Sequence, residues 1–410
     1  MRGRPMFYTR YESDQALMNT GTKKVILALF LMLLALIPLG IIPGISFLAQ
    51  DEWLRLLATV AIFVIGALGL NILTGLAGQV SLGHAFFMGV GAYTAAWLGS
   101  PPGPHLGLGL PMWVWLPAAG IVAALIGIAI GPTAVRVRGL YLAFVTLGLV
   151  FVGEYVFRNW TSLTGGSQAG RTFPRFEIKG WREDEPLVSF ATSGPWFGVD
   201  LASEAKTYYF LAVLAIVFVI LAKNLQRTRI GRAFQSIRDR DIAAEIMGVD
   251  EFRYKLVAFG ISSFYAGVSG ALFAVFVSRM IPEQWNLFLS VQFIAIVLIG
   301  GAGVVTGTIL GSVFVIVLPR LVLDFTSWLA GVVQGESPLA WFADLFISTG
   351  VGDFGLVNTQ AGVAPGLSIA QLNQVLYGLL IIAFLIFEPL GLYGIWLRIR
   401  NYWKGWPFTY

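Results

Sequence analysis

LRLLATVAIFVIGALGLNILT, residues 54–74, contains one cation, Arg55, and no acid. A helix that crosses a bilayer needs roughly 20 mostly apolar residues, so this run predicts a span. GLAGQVSLGHAFFMGVGAY, residues 75–93, follows without a break. There Gly75, Gly78 and Gly83 interrupt an apolar run, and Gln79, Ser81 and His84 put polar groups into it. Non-helical backbone at membrane depth is tolerated only where it is buried in protein or lines a cavity. Polar side chains at that depth face the bundle interior. The segment is therefore a candidate lining for a translocation path. The competing reading is an inner loop followed by a packing helix, with Gly89 and Ala92 allowing close approach. His84 taken alone reads as a hydrogen-bonded structural histidine rather than a ligand or proton relay.

The rest of the chain extends this reading. Of 410 residues, 57% are hydrophobic and only 12% are charged, against about 25% charged in a soluble domain. Mean hydropathy is +0.77. Apolar stretches near 25–48, 54–74, 82–99, 113–135, 140–160, 206–223, 255–278, 287–302, 305–325 and 371–390 predict an all-α polytopic transmembrane bundle of about ten spans. Gly300, Gly301 and Gly303 leave 287–325 open to two readings, a pair of spans or one broken helix. The organisation that follows is a cytoplasmic segment 1–24, a transmembrane domain 25–390 and a cytoplasmic tail 391–410. The segment 1–24 mixes Arg2, Arg4, Arg10, Lys23 and Lys24 with Glu12 and Asp14, so Val25 begins a retained start-transfer helix rather than a cleaved signal.

Charge orients the bundle. With both termini in the cytoplasm, the inner segments carry Arg136 and Arg138, the basic run 223–255, and Arg398, Arg400 and Lys404, as the positive-inside rule requires. The net charge of +5 is then a matter of topology and does not call for nucleic acid. Two long outer segments remain, 161–205 and 326–370, expected as ordered caps or docking surfaces, or as plain loops. Trp53, Trp97, Trp113, Trp160, Trp396 and Trp403 sit near span ends, where amphipathic rings favour the headgroup zone. LTGLAGQVS (73–81) and LIGGAGVVT (298–306) match at Leu, Gly, Ala, Gly and Val. A same-sense duplication and the chance likeness of two glycine-rich turns both account for that.

Two further segments carry charge in informative places. Within RGLYLAFVTLGLVFVGEYVFRNW, 138–160, Glu154 and Arg158 share a helix face and are expected to pair with each other near the outer end. RTRIGRAFQSIRDRDIAAEIMGVDEFRYK, 227–255, is the one long, strongly charged inner segment between spans. Ile230, Phe234 and Ile237, then Ile242, Ile246 and Val249, recur at helical spacing. That predicts a short amphipathic helix on the inner face, either resting on lipid or inserting into a groove on a cytoplasmic partner. The coupling segment is placed at 224–254.

This last segment resembles the cytoplasmic loop of ABC import permeases, with Ala243, Ala244 and Gly248 matching its small residues and Ile242 standing where that loop has Glu. More narrowly, GRAFQSIRDRDIAAEIMGVD (231–250) is similar to the signature of the branched-chain amino-acid permease family. TGLAGQVSLGHAFF (74–87), GLYLAFVTL (139–147), LTGGSQAG (163–170) and the final NYWKGWPFTY also resemble segments of that family. The resemblance covers about 60–320, and 326–370 looks like an extra insertion. It implies an M-type permease subunit in a bacterial or archaeal cytoplasmic membrane. Such a subunit works with a second homologous permease subunit, cytoplasmic ABC ATPase subunits that carry the ATP, and an extracytoplasmic substrate-binding protein. It also implies branched-chain or related amino acids as substrate, with urea or short amides handled by a sister branch. The expected ATPase-coupling residues are Arg232, Arg238, Asp239, Ala243, Ala244 and Gly248. The expected pathway residues are Gln79, Ser81, His84, Phe86, Phe87 and Thr146.

Rival classes fare worse. No lysine follows a glycine, so there is no P-loop and no hydrolysis of ATP by this chain is expected. With no Cys and two His, His84 and His105, neither a metal site nor a cofactor is expected. GVSG at 267–270 has the form of an intramembrane protease nucleophile, yet both histidines lie far upstream, and Gly260, Ser263, Gly267 and Gly270 at 3–4 spacing suit helix packing. An ion-driven carrier would favour acids at mid-membrane depth, whereas Asp324, Glu388 and Glu154 lie near span ends.

Overall fold

The computed structural model describes residues 21–405 except 136–139, 181–185, 187, 197–198, 335–345, 349–356, 359–366 and 389. The charges of residues 2–14, together with Arg136 and Arg138, lie outside the described residues.

The helices begin with α1 (Gly21–Leu36), α2 (Asp51–Leu70), α3 (His84–Gly99), α4 (Met112–Val135) and α5 (Leu140–Asn159). After the segment 161–202 come α6 (Ser203–Arg227), the short α7 (Arg229–Asp239) and α8 (Asp241–Ile246), and then α9 (Glu251–Val277). The chain closes with α10 (Leu287–Gly300), α11 (Val305–Gln334), α12 (Ile369–Phe387) and α13 (Gly391–Gly405). Among the described residues seven helices are long and apolar enough to cross a membrane, and two shorter apolar helices cover Lys24–Leu39 and Gln371–Phe384. The stretch 287–325 is a helical hairpin of α10 and α11 rather than one broken helix, and α11 runs on to Gln334. The expected single amphipathic helix over 230–250 is corrected to two, because the backbone turns extended at Arg240 (φ −157°, ψ 96°).

Helices α2 and α9 form the centre, and most of each is buried. What lets α3 and α4 pack onto α9 is the absence of side chains along the seam. A Cβ on Gly91 would overlap Gly267 backbone, one on Gly270 would overlap Met88 backbone, and one on Gly267 would meet Ala119 and Ala123. Small-residue interfaces of this kind bring helices together by van der Waals contact in a solvent that supplies no hydrophobic drive. Ser269 belongs to the seam, since its Oγ donates to the Ile62 carbonyl at 2.9 Å. It is a packing residue and not a nucleophile.

The described residues of 161–205 form a cap, in which Phe173, Phe176 and Phe190 are buried and Arg171–Thr172 pairs antiparallel with Arg279–Met280. Arg171 is buried and donates to the carbonyls of Ala96 (2.7 Å), Leu163 and Leu106. Burial draws its pKa below the ordinary guanidinium value, and the three carbonyls offset the desolvation of the cation. Beside it, Arg158 bridges Glu154 at 2.8 Å, as the i,i+4 spacing predicted, and also Glu283 at 2.9 Å.

Candidate functional site

Helix α2 does not end cleanly. At Asn71–Leu76 it widens into a π-helical turn, with Ala77 N donating to Ile72 O at 3.1 Å. Gly78 then takes a left-handed φ of +70° and the chain stays non-helical to Gly83. Helix-end groups freed inside a bundle need partners, and here other helices supply them. Leu82 N donates to Thr146 Oγ1 of α5 at 2.9 Å, and Ala85 N donates to Ser290 Oγ of α10 at 3.0 Å.

The matching glycine turn, 301–304, lies directly against this break. Gly303 N donates to Asn71 Oδ1 at 2.7 Å, and Gln226 Nε2 donates to Gly303 O at 3.1 Å. Gly301 and Gly303 have φ of +115° and +84°, a region open to glycine at little cost. A Cβ on Gly75 would overlap both Asn71 Oδ1 and the Gly303 backbone. The two similar stretches of sequence thus meet face to face.

Arg238 closes the junction from α7. Its Nη1 donates to Gly75 O at 2.7 Å, its aliphatic stem covers Gly78, and the same nitrogen lies against Gly303. Asp239 holds the other side of the guanidinium at 3.1 Å. A planar fork with five donors suits this multiple task better than an ammonium would. Helix α7 is seated by Ala233, Phe234 and Ile237, all buried, and Thr228 caps its first turn by accepting from Gly231 N. On the far side of the turn, a Cβ on Gly301 would meet Leu390 and Tyr393, and one on Gly391 would overlap Ile299 O. The glycine turn is therefore gripped by the start of α13 as well.

The expected coupling residues divide. Arg238 is itself exposed, yet its Nη1 reaches the Gly75 carbonyl with Asp239 beside it, and Ala244 is buried. Arg232, Ala243 and Gly248 are exposed, and Gly248, at φ +84°, has open space around it. Around them α8 and its C-cap present Ile242, Ile246 and Met247, which are 66%, 80% and 83% exposed. The i,i+4 recurrence of Ile242 and Ile246 was visible in the sequence, but which apolar residues of 227–255 face inward was not.

The expected pathway residues are packed. Gln79, Ser81, His84, Phe87 and Thr146 are buried and Phe86 is half-buried. The His84 ring lies 4.7 Å from that of Phe293. Phe86 stacks on Phe157, and Phe87 meets Phe259 edge-on. Gln79 Oε1 and His84 Nε2 are buried without a partner among the described residues. Neither of two cavities on the described surface touches this group. One, of about 200 Å³, is walled by Glu52, Trp53, Arg55 and Arg320. The other, of about 410 Å³, lies between α11 and α13. Sequence reasoning did not single out Asn71 or Gln226. The usable signal was one uncharged amide inside an apolar run.

Residues 53–385 match the family model described as the branched-chain amino acid transport system permease component. The chain is 35% identical over 272 residues to the high-affinity branched-chain amino acid transport system permease protein LivM of Salmonella typhimurium, and 34% identical over 276 residues to LivM of Escherichia coli K12. Each alignment covers 65% of this chain and 63% of the relative's length. Over 134 residues, 29% of this chain and 39% of the relative, it is 34% identical to the autoinducer 2 import system permease protein LsrC of Enterobacter sp. strain 638. No solved structure matches.

Proposed function

The chain belongs to the branched-chain amino acid transport system permease family, and from that premise we propose that it is a membrane-embedded permease subunit of an ABC importer. It forms part of the path for branched-chain or related amino acids in a bacterial cytoplasmic membrane, with both termini on the cytoplasmic side. ATP is bound and hydrolysed by partner ATPases. A second, homologous permease subunit completes the bundle, and an extracytoplasmic binding protein delivers substrate to the capped face. What supports the reading is the link from an exposed apolar knob to the interior. Ile242, Ile246 and Met247 stand out on α8, while Arg238, on the adjoining α7, is bonded to the break in α2.

In this mechanism α8 inserts into a groove on the ATPase, as an amphipathic helix does. Arg232, Ala243 and Gly248 lie on the docking side. When nucleotide changes the separation of the two ATPases, α7 and α8 move together, because Arg240 is the sole residue between them. Arg238 carries that displacement to Gly75 and Gly303, hence to the ends of α2 and α10. Packed interfaces shift between discrete arrangements rather than deforming smoothly. The packed Gln79, Ser81, His84, Phe86, Phe87 and Thr146 then describe a closed state, in which the unpartnered Gln79 Oε1 and His84 Nε2 await a second arrangement. Phe86 and Phe87 offer an aliphatic side chain an apolar wall, and the polar groups offer hydrogen bonds to its backbone.

The test is purification of the tagged full chain in mild detergent, with identification of what accompanies it. Recovery of an ABC ATPase and a second permease supports the reading. Recovery of the chain alone, together with uptake into ATP-free liposomes under an ion gradient, replaces it with a secondary carrier.

A further inference from the structure

Helix α13 leaves the Gly300–Gly301 turn carrying Arg398, Arg400 and Lys404 and no acid. Leu392, Ile395, Trp396 and Ile399 fall on one helical face. Together with residues of α11 such as Val313 and Val317, that face walls an apolar groove of about 410 Å³. The volume is within the ~300–1,000 Å³ range of small-molecule sites. Arg398 and Arg400 flank the groove face on either side. Arg398 pairs with Glu388. Arg400 is exposed and has no acid within ion-pair distance among the described residues. Trp396, Tyr402 and Trp403 are also exposed, and aromatic rings beside basic residues mark the headgroup level of a bilayer.

We propose that the α11–α13 groove is a binding site for an anionic phospholipid, taking an acyl chain between Val313, Val317, Ile395 and Trp396 and its phosphate at Arg400. An apolar slot with a cationic rim and no competing acid on α13 complements a lipid that is itself apolar with an anionic head. Juxtamembrane basic residues attract anionic lipids in this way. The groove rests on the membrane character of the bundle and not on what the bundle transports. Because Gly391 abuts Ile299 and Gly301, an occupied groove braces the glycine turn that Arg238 touches from the other side.

The experiment uses the full chain in phosphatidylcholine vesicles, titrated with phosphatidylglycerol or with further phosphatidylcholine, each carrying bromine on its acyl chains. Bromine quenches tryptophan on contact, and the Trp396 contribution is the part of the signal removed in Trp396→Phe. At equal mole fraction, the phosphatidylglycerol is expected to quench that part several-fold more. Arg400→Gln should equalise the two lipids while leaving the phosphatidylcholine quenching intact, which shows that the helix is still in place. Arg400→Lys should retain the preference. Equal quenching by both lipids in the wild type overturns the proposal, as does a preference that persists in Arg400→Gln. A Trp396 contribution that neither lipid reaches also overturns it, since another polypeptide then covers the groove.

Discussion

Arg238 Nη1 donates to the carbonyl oxygen of Gly75 at 2.7 Å, joining a surface helix to a broken span 163 positions away in sequence. The bond satisfies a carbonyl that the π-helical turn leaves without a regular partner. It also places a cation where the two glycine turns meet.

The junction predicts its own fragility. Asn71→Ala leaves Gly303 N–H buried without an acceptor, at a cost of about 1–3 kcal/mol. Gly75→Ala forces a methyl into Asn71 and the Gly303 backbone, at about 1–3 kcal/mol. Both variants should unfold at lower temperature than the wild type in detergent, followed by tryptophan fluorescence. Gly148→Ala, whose Cβ would meet nothing within 4 Å, serves as the control and should leave the midpoint in place.

The α8 knob predicts the opposite separation of effects. Ile242→Asp and Met247→Asp alter side chains that this chain does not bury, so the melting temperature should hold. Recovery of the proposed ATPase partner in a pull-down should fall at least tenfold, corresponding to about 1.4 kcal/mol or more of lost contact. Unchanged recovery would place the docking surface elsewhere.

The cap formed by the described residues of 161–205 depends on Arg171. Arg171→Met removes the donor to three carbonyls, each of which costs on the order of 1–3 kcal/mol if left dry. The cap residues of 161–205 should then exchange amide hydrogens faster than in the wild type, while α2 and α9 keep their protection. Uniform protection across the cap would show that Phe173, Phe176 and Phe190 hold it without the cation.

The central seam is stricter. Gly270→Ala drives a methyl into Met88 backbone, where no rotamer change relieves the clash. We expect a large loss of folded protein on expression, measured by size-exclusion fluorescence. Gly331→Ala, in open space, should express normally.

Much of this architecture could be read from the sequence because bilayer length and hydropathy constrain it strongly. The runs that became α2, α9 and α11 are apolar for about as long as a bilayer is thick. The pairing of Glu154 with Arg158 and the packing role of Gly267 and Gly270 follow from helical spacing alone. The similarity of 73–81 to 298–306 was visible, but their contact was not, since it depends on how α2 and α10 end in space. The split of 227–255 at Arg240 was hidden because both halves keep helical periodicity. The bond from Arg238 to Gly75 was hidden as well, because charged residues in a basic segment give no sign of which one reaches a helix end. Arg171 left no local signal, since its three acceptors are backbone carbonyls from three separate places in the chain.

The most direct test of the account is the coupling ratio of the assembled transporter in proteoliposomes, measured as amino acid taken up per ATP hydrolysed, for wild type and Arg238→Ala. The Arg238 side chain is partly exposed, so its bond is worth less than the ~1.5–3 kcal/mol of a buried charge-assisted hydrogen bond, and its loss should lower the ratio several-fold while the proposed ATPase remains docked and continues to hydrolyse ATP. Arg238→Lys should recover part of the loss at most, because a single ammonium cannot reproduce the fork. A ratio unchanged in Arg238→Ala would contradict the account and reduce the contact with Gly75 to a structural bond with no part in transmission.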